Sequence, residues 1–136
     1  MATRKVSYVD IKVASRPGQA AAVLRAVADA GISLQAFTGF PDRAGRAQID
    51  LVTDEVAKLR RVAKAQGWRL SAVKRGFLIQ GRDQVGAVQR QLAKLAKRGV
   101  NVTAVDAVTA GRGRFGMILW VKPRDSAKAA KALGAR

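Results

Sequence analysis

The chain has 136 residues, enough for one ordinary domain or two very small ones. It carries 26 Lys and Arg against 9 Asp and Glu, a formal charge of +17, with neither His nor Cys and with Glu55 as its single glutamate. Those absences exclude an imidazole base, a His-ordered metal site, a thiolate nucleophile, a disulfide framework and a thiolate zinc site, so no metal or cofactor is expected.

Val6 to Val13 reads as a strand, with Val9, Ile11 and Val13 on one face. Residues 19–30 read as an amphipathic helix with Ala20, Leu24, Val27 and Ala28 inward, ended by Gly31. Ile32, Leu34 and Ala36 alternate as a second strand, and Gly39 to Gly45 reads as a turn around Pro41 and Asp42. Ala47, Ile49 and Leu51 alternate again, and Asp54 is placed to cap a helix holding Leu59, Val62 and Ala63. Gly67 ends that helix, and Trp68 to Val73 begins a further strand. The order is β-α-β-β-α-β.

The same order then runs a second time. Phe77 to Gln80 is its first strand, and Val85, Val88, Leu92, Leu95 and Ala96 make a helical stripe. Val100–Val105 and Phe115–Val121 are strands joined by a turn at Gly111–Gly113, and residues 125–133 form an Ala/Lys helix. Gly18 and Gly86 are 68 residues apart, as are Gly31 and Gly99, Leu24 and Leu92, Ala36 and Ala104, and Leu51 and Leu119. The chain stops at Arg136, so the second repeat lacks its last strand or borrows one. Residues 68–80 hold only Arg75-Gly76 as punctuation, which predicts one long or bent strand serving both repeats.

A β-α-β-β-α-β unit of this size folds as a ferredoxin-like layer, with two helices on one sheet face. The expected class is α+β, with one repeat over residues 1–74 and the other over 75–136. On the helix-free face the first repeat places Asp10, Lys12, Gln35, Gln48 and Asp50. The second places Leu78, Ile118 and Trp120 there, which predicts cover by a second sheet, a ligand or a partner subunit. A homodimer is therefore expected.

Arg16-Pro17-Gly18 followed by Gly31-Ile32-Ser33-Leu34, and Asp83-Gln84-Val85-Gly86 followed by Gly99-Val100-Asn101-Val102, resemble the motifs of the ACT domain. The resemblance covers the chain as a tandem pair. It departs from the family pattern at Ser15, where aspartate is common, at Ser33, where asparagine is common, and at Val85, where proline is common. It implies a non-catalytic regulatory module that binds an amino acid or other small effector, and either senses it or assembles with a target.

A helix start offers free N–H groups and the positive end of the helix dipole, which suit a carboxylate, and glycine permits close approach. The expected site is therefore the loop Asp83, Gln84, Val85, Gly86 and Ala87, with Asn101 and Asp83 as acceptors for an amine. Arg16, Pro17, Gly18 and Ser33 are its counterparts in the first repeat. The same residues also read as turn glycines, a cap and a loop-bonding amide.

Charge is uneven. Residues 1–55 hold 7 basic and 6 acidic side chains, whereas residues 56–136 hold 19 and 3. The alternative function is thus a basic ferredoxin-like nucleic-acid-binding protein. Arg112-Gly113-Arg114-Phe115-Gly116 faintly resembles the third-strand motif of the RNA-recognition fold. Phe115 and Trp120, however, differ by an odd number and point to opposite faces. Arg90, Lys94 and Lys97 form a basic helix face opposite Val88, Leu92 and Leu95.

Catalytic residues are not expected. Tyr8, Glu55 and a few aspartates form no paired constellation, and Gly111-Arg112-Gly113 lacks the Lys-Ser/Thr of a phosphate loop. With no apolar run of membrane length and no signal-peptide core, a cytoplasmic location is expected.

Overall fold

The computed structural model describes residues 2–136. In chain order the elements are β1 (Ala2–Ala14), α1 (Gln19–Asp29), β2 (Ala36–Pro41), β3 (Arg46–Val52), α2 (Val56–Gln66), β4 (Lys74–Arg82), α3 (Ala87–Lys97), β5 (Val102–Gly111), β6 (Arg114–Val121), a 3-10 turn (Pro123–Asp125) and α4 (Ser126–Leu133). The hydrogen-bonded strand order is β2-β3-β1-β4-β6-β5. The chain divides into two units. The first is Ser7–Lys74; the second joins the residues up to Val6 to Arg75–Arg136.

In the first unit β3 lies antiparallel to both β1 and β2, with Ile11 opposite Ile49 and Val9 opposite Leu51. Strand residues alternate faces, so these four side chains share one side. They form the core with Val23 and Val27 of α1, Ile32, and Leu59 of α2. Val23, rather than the expected Ala28, is the buried partner of Val27; Ala28 faces solvent. Gly31 ends α1 at φ +74°, and the Ile32 N–H reaches back to the Val27 carbonyl at 3.2 Å.

Three expectations change here. The strand read at Ile32–Ala36 begins only at Ala36 and runs through Gly39 and Phe40 to Pro41, into the segment read as a turn. Pro41 is tolerated because β2 is the edge of its sheet. Thr53, not Asp54, serves the start of α2. Its Oγ1 accepts the Glu55 N–H at 3.0 Å and donates to the Ser33 carbonyl at 3.0 Å, while Asp54 accepts from Gln35 Nε2 at 2.7 Å.

In the second unit β6 pairs antiparallel with β4 and β5, placing Phe77 opposite Leu119 and Ile79 opposite Met117. These residues and Phe115 pack under Leu95 of α3 and Ala129 and Leu133 of α4. Val85 lies outside α3 and is 99 % exposed, and Ala96 is also exposed; Ala87, Gln91 and Leu95 take the inward positions. Gly76 sits inside β4 rather than in a break. A Cβ there would stand 3.2 Å from the Leu119 carbonyl oxygen, so the close strand approach needs glycine.

The predicted borrowing occurs, with a different lender. Residues 68–73 form no regular strand; Ser71 alone ties them to Asp10, through its N–H to the Asp10 carbonyl and its Oγ to the Asp10 N–H. The first residues of β1 belong to the second unit instead. Lys5 donates its N–H to the Arg136 carbonyl and Arg136 donates to the Thr3 carbonyl, each at 3.2 Å. Leu78, Ile118 and Trp120, expected to lie open, are 8 %, 6 % and 4 % exposed within the chain itself. The apolar surface invoked for a partner is therefore absent at those residues. No helix among the described residues is long and apolar enough to cross a membrane.

The shared strand gives a stability test. Each unit holds one of the two tryptophans, Trp68 or Trp120. Deleting residues 1–5 removes two backbone hydrogen bonds from the second unit and should cost it about 1–3 kcal/mol. In single-tryptophan variants (Trp68→Phe or Trp120→Phe), the truncation should lower the unfolding midpoint reported by Trp120 well before that reported by Trp68. Equal midpoints before and after truncation would contradict this role for β1.

Candidate functional site

Each unit has a cleft at the same topological place, where its first strand turns into its first helix. In the first unit the Ser15 N–H bonds the Gly45 carbonyl at 2.9 Å, that of Gln19 bonds Arg16 at 3.3 Å, and that of Ala22 bonds Gly18 at 2.9 Å. In the second unit the corresponding bonds are Asp83 to Gly113 at 2.8 Å, Ala87 to Gln84 at 3.0 Å and Arg90 to Gly86 at 2.9 Å. Every partner is shifted by the same 68 residues. The first bond of each set ties the loop to the hairpin turn; the others start the helix. Gly18 and Gly86 make this possible at φ +87° and +81°, the left-handed region that other residues rarely enter.

The linings follow the same offset. In the first unit Ser15, Arg16, Gln19 and Ala20 face Gly39, Phe40 and Pro41 of β2, around ≈ 440 Å³. In the second unit Asp83, Gln84, Ala87 and Val88 face Ala107, Val108 and Thr109 of β5, around ≈ 230 Å³. Two substitutions distinguish the clefts' surroundings, and the first lies in the lining itself. Phe115 stands where the first unit has Ala47. Arg90 stands where it has Ala22, and its guanidinium folds over the loop onto the Val85 carbonyl at 3.1 Å and Gln84 Oε1 at 3.3 Å. The first cleft stays open and largely apolar, with Phe37 and Phe40 partly exposed on its wall and Arg16 at its rim.

The structure brings Asp83, Gln84, Gly86 and Ala87 together, and likewise Arg16 and Pro17, with Gly18 beside them at the start of α1. It does not bring Asn101 or Ser33 to these loops. Each follows the far end of an 11-residue helix, about 16 Å from the glycine that starts it. Ser33 is instead tied to the start of α2, where its N–H reaches Glu55 Oε2 at 3.3 Å. Val85 points to solvent. The residues missed by reading the sequence are those on the facing strand: Phe40 and Pro41, and Ala107 to Thr109. Applying the 68-residue offset to β2 would have found the second set once β2 was known to run through Pro41.

A larger cleft of ≈ 630 Å³ lies on the other side of Gln19, between the end of β1, α1 and Trp68. Lys12, Arg46 and Arg69 line it, with no carboxylate.

The helix-free face of the first unit carries a polar cluster. Asp10 stands in register opposite Asp50, and Lys12 opposite Gln48. Asp50 is 5 % exposed and accepts from Gln48 Nε2 at 2.9 Å. Lys74 is paired with Asp10 and lies 5.2 Å from the Tyr8 ring centroid. Burial pushes the Asp50 carboxyl above the usual range, and the Asp10 charge adds to this. The Gln48 hydrogen bond, Lys74 and Lys12 pull the other way. Burial and then the Asp50 and Asp10 charges push the Tyr8 phenol up to about 12. Among the described residues no group of three acidic, His or Cys side chains is placed to hold a metal.

Phe115 and Trp120 are both buried, at 4 % exposure, so neither offers a ring to a nucleic-acid base.

The family model of the ACT domain matches residues 7–65, which run from β1 to the end of α2 and contain the larger of the two repeated clefts. The fold is the α+β, ferredoxin-like fold of that domain. Solved structures share it across nearly the whole chain. A protein of Bacteroides thetaiotaomicron is similar at TM-score 0.79 and 15 % identity, covering 95 % of this chain and 88 % of that one. The ligand-free regulatory subunit of aspartate kinase from Thermus thermophilus is similar at 0.64 and 17 %, covering 98 % and 93 %. Aspartokinase III of E. coli, solved with aspartate and ADP, is similar at 0.56 and 16 %, covering 97 % of this chain and 32 % of that one. No curated protein matches the sequence.

Tyr8 is the single tyrosine, so its titration can be followed directly by absorbance at alkaline pH. The phenol should ionise near 12 and shift downward in Asp50→Asn, because the variant removes a nearby negative charge. The Asp50 carboxyl is raised in the folded state. Its protonation therefore adds stability that is complete below the unfolded value and is lost as pH rises through the folded one. Asp50→Asn should raise the melting temperature at pH 7 and flatten its pH dependence in the mildly acidic range. A variant less stable than the parent at pH 7 would contradict this account.

Proposed function

We propose that the protein is a cytoplasmic, non-catalytic regulatory module whose first unit binds a small effector, an amino acid with an apolar side chain, in the cleft between the Arg16–Gly18 loop and Phe37–Pro41. The observation that carries this reading is the repeated cleft, with its positive helix start and matched hydrogen bonds, lying in the segment that matches the ACT domain. The carboxylate is taken by the first turn of α1 and by Arg16, and the side chain rests against Phe37 and Phe40. The amine meets Ser15 and backbone carbonyls of the loop. In the second unit the loop Asp83–Ala87 is the counterpart, with Asp83 and Thr109 as acceptors in half the space. The fold shared with the regulatory subunit of aspartate kinase supports a regulatory role.

A homodimer belongs to the same reading, supported by different residues from those expected. β5 is the edge strand of its sheet and is exposed along nearly its whole length, with Val105 at 39 % and Val108 at 68 %. Such an edge offers unpaired backbone groups to a second copy. Sedimentation equilibrium at micromolar concentration should give twice the chain mass, and Val108→Lys should shift the mass towards that of one chain. A single-chain mass for the parent would refute the dimer.

A thermal-shift screen against the common amino acids tests the effector site. An apolar amino acid should raise the melting temperature. Arg16→Ala should weaken binding by about tenfold or more, from a hydrogen bond to a charged group worth roughly 1.5–3 kcal/mol. Ala47→Phe installs the side chain that already fills the second unit's cleft, and should abolish binding without unfolding the chain. If no amino acid shifts the transition, or if Ala47→Phe binds as well as the parent, the effector does not bind in this cleft.

A further inference from the structure

Charge is divided unevenly between the two units. The first unit holds 11 Lys and Arg against 6 carboxylates; the second holds 15 against 3. In the first unit α1 carries its own counter-charge, with Arg25–Asp29 at 3.2 Å, and Lys58 of α2 lies 3.9 Å from Glu55, the residue just before that helix. In the second unit neither α3 nor α4 contains a single carboxylate.

Packing then sorts these cations onto one face. α3 and α4 touch each other and bury Leu95, Ala129 and Leu133 against the same side of the sheet. Arg90, Lys94 and Lys97 on α3, and Lys128 and Lys131 on α4, are left on the exposed side. Among the described residues none of these five pairs with a carboxylate. Arg90 and Lys94 bond only neutral oxygens, of Val85, Gln84 and Gln91. The spacings are i to i+4 between Arg90 and Lys94, and i to i+3 from Lys94 to Lys97 and from Lys128 to Lys131. Like charges at these spacings repel and weaken a helix. An external polyanion would relieve that repulsion.

We propose that the outward face of α3 and α4 is a docking surface for the phosphodiester backbone of duplex DNA. Three observations select this partner. The helix backs expose no aromatic ring for stacking, which disfavours a single strand. Nor do they expose a large apolar side chain; the exposed valines of this unit lie outside both helices, so an anionic membrane finds cations but no insertion anchor. The exposed polar groups are almost all cations, with Gln89 the one amide, so contact is with phosphate and reads no sequence. The proposal does not rest on the effector cleft of the first unit.

The test is fluorescence anisotropy of a labelled mixed-sequence 20-base-pair duplex against the full chain, from 50 to 200 mM KCl. Five phosphate contacts give a slope of log affinity on log salt of about −4.5. The triple variant Lys94→Gln/Lys97→Gln/Lys131→Gln should reduce that slope to about −1.8 and weaken binding at least roughly tenfold at 100 mM. The triple variant Arg60→Gln/Arg61→Gln/Lys64→Gln on α2 removes the same charge from the first unit and should bind nearly as the parent does. Circular dichroism melting checks that both variants are folded, and the parent's own salt slope is an independent readout. Equal weakening in both variants would reduce the effect to net charge and overturn the proposal. So would tighter binding to the single strand, binding to phosphatidylserine vesicles in place of duplex, or no duplex binding at 100 mM KCl.

Discussion

Both clefts depend on one backbone constraint: a strand must turn into a helix through a residue in the left-handed region. Gly18 and Gly86 occupy it, and neither helix start has a side-chain cap. The first helical N–H groups therefore face the loop rather than a capping oxygen. The bonds from Ser15 to Gly45 and from Asp83 to Gly113 fasten each loop to the hairpin turn of its own unit. The loop, the hairpin turn and the helix start thus form one hydrogen-bonded assembly, and the cleft is the space it encloses against the second strand. Substitution at either glycine strains the backbone whatever room the new side chain finds.

Within that shared frame the two units have diverged by filling. Phe115 occupies what Ala47 leaves open, and Arg90, in the place of Ala22, lies over the loop. A phenyl ring in place of a methyl group adds packing to the second core, where Phe115 joins Phe77 and Met117, and takes away binding space. The first unit keeps its space, and also keeps a buried carboxyl, Asp50, opposite Asp10 on the helix-free face. Burying that group costs stability unless cations and hydrogen bonds offset it, and Lys74, Lys12 and Gln48 are placed around it. In the second unit Leu78, Ile118 and Trp120 are buried on that face. Five of its cations lie on the backs of α3 and α4.

The repeat, the β-α-β-β-α-β order, the α+β class and the two glycine-bounded loops were all legible in the sequence. Each follows from local chemistry: alternation for strands, a three-to-four residue period for helices, and glycine where φ must be positive. Boundaries were less legible where a residue has two uses. Pro41 reads as a turn residue, yet an edge strand lacks a hydrogen-bond partner on one side and accommodates it. Val85 continues an apolar stripe, yet it precedes Gly86, whose left-handed turn takes it out of the helix and into solvent.

What the sequence could not settle was which distant segments meet. Asn101 and Ser33 lie 15 residues beyond Gly86 and Gly18 in the repeat pattern, and a helix separates the two ends in space. The strand completing the second unit came from the first residues of the chain, where Thr3 and Lys5 bond the Arg136 backbone. The burial of Leu78, Ile118 and Trp120 was equally invisible, since periodicity assigns a side chain to a face and says nothing about what covers that face. Local propensity and spacing thus determined the elements and their glycine hinges. Only long-range backbone pairing and packing decided which strand is shared, which cleft is open and which charges are left together on one surface.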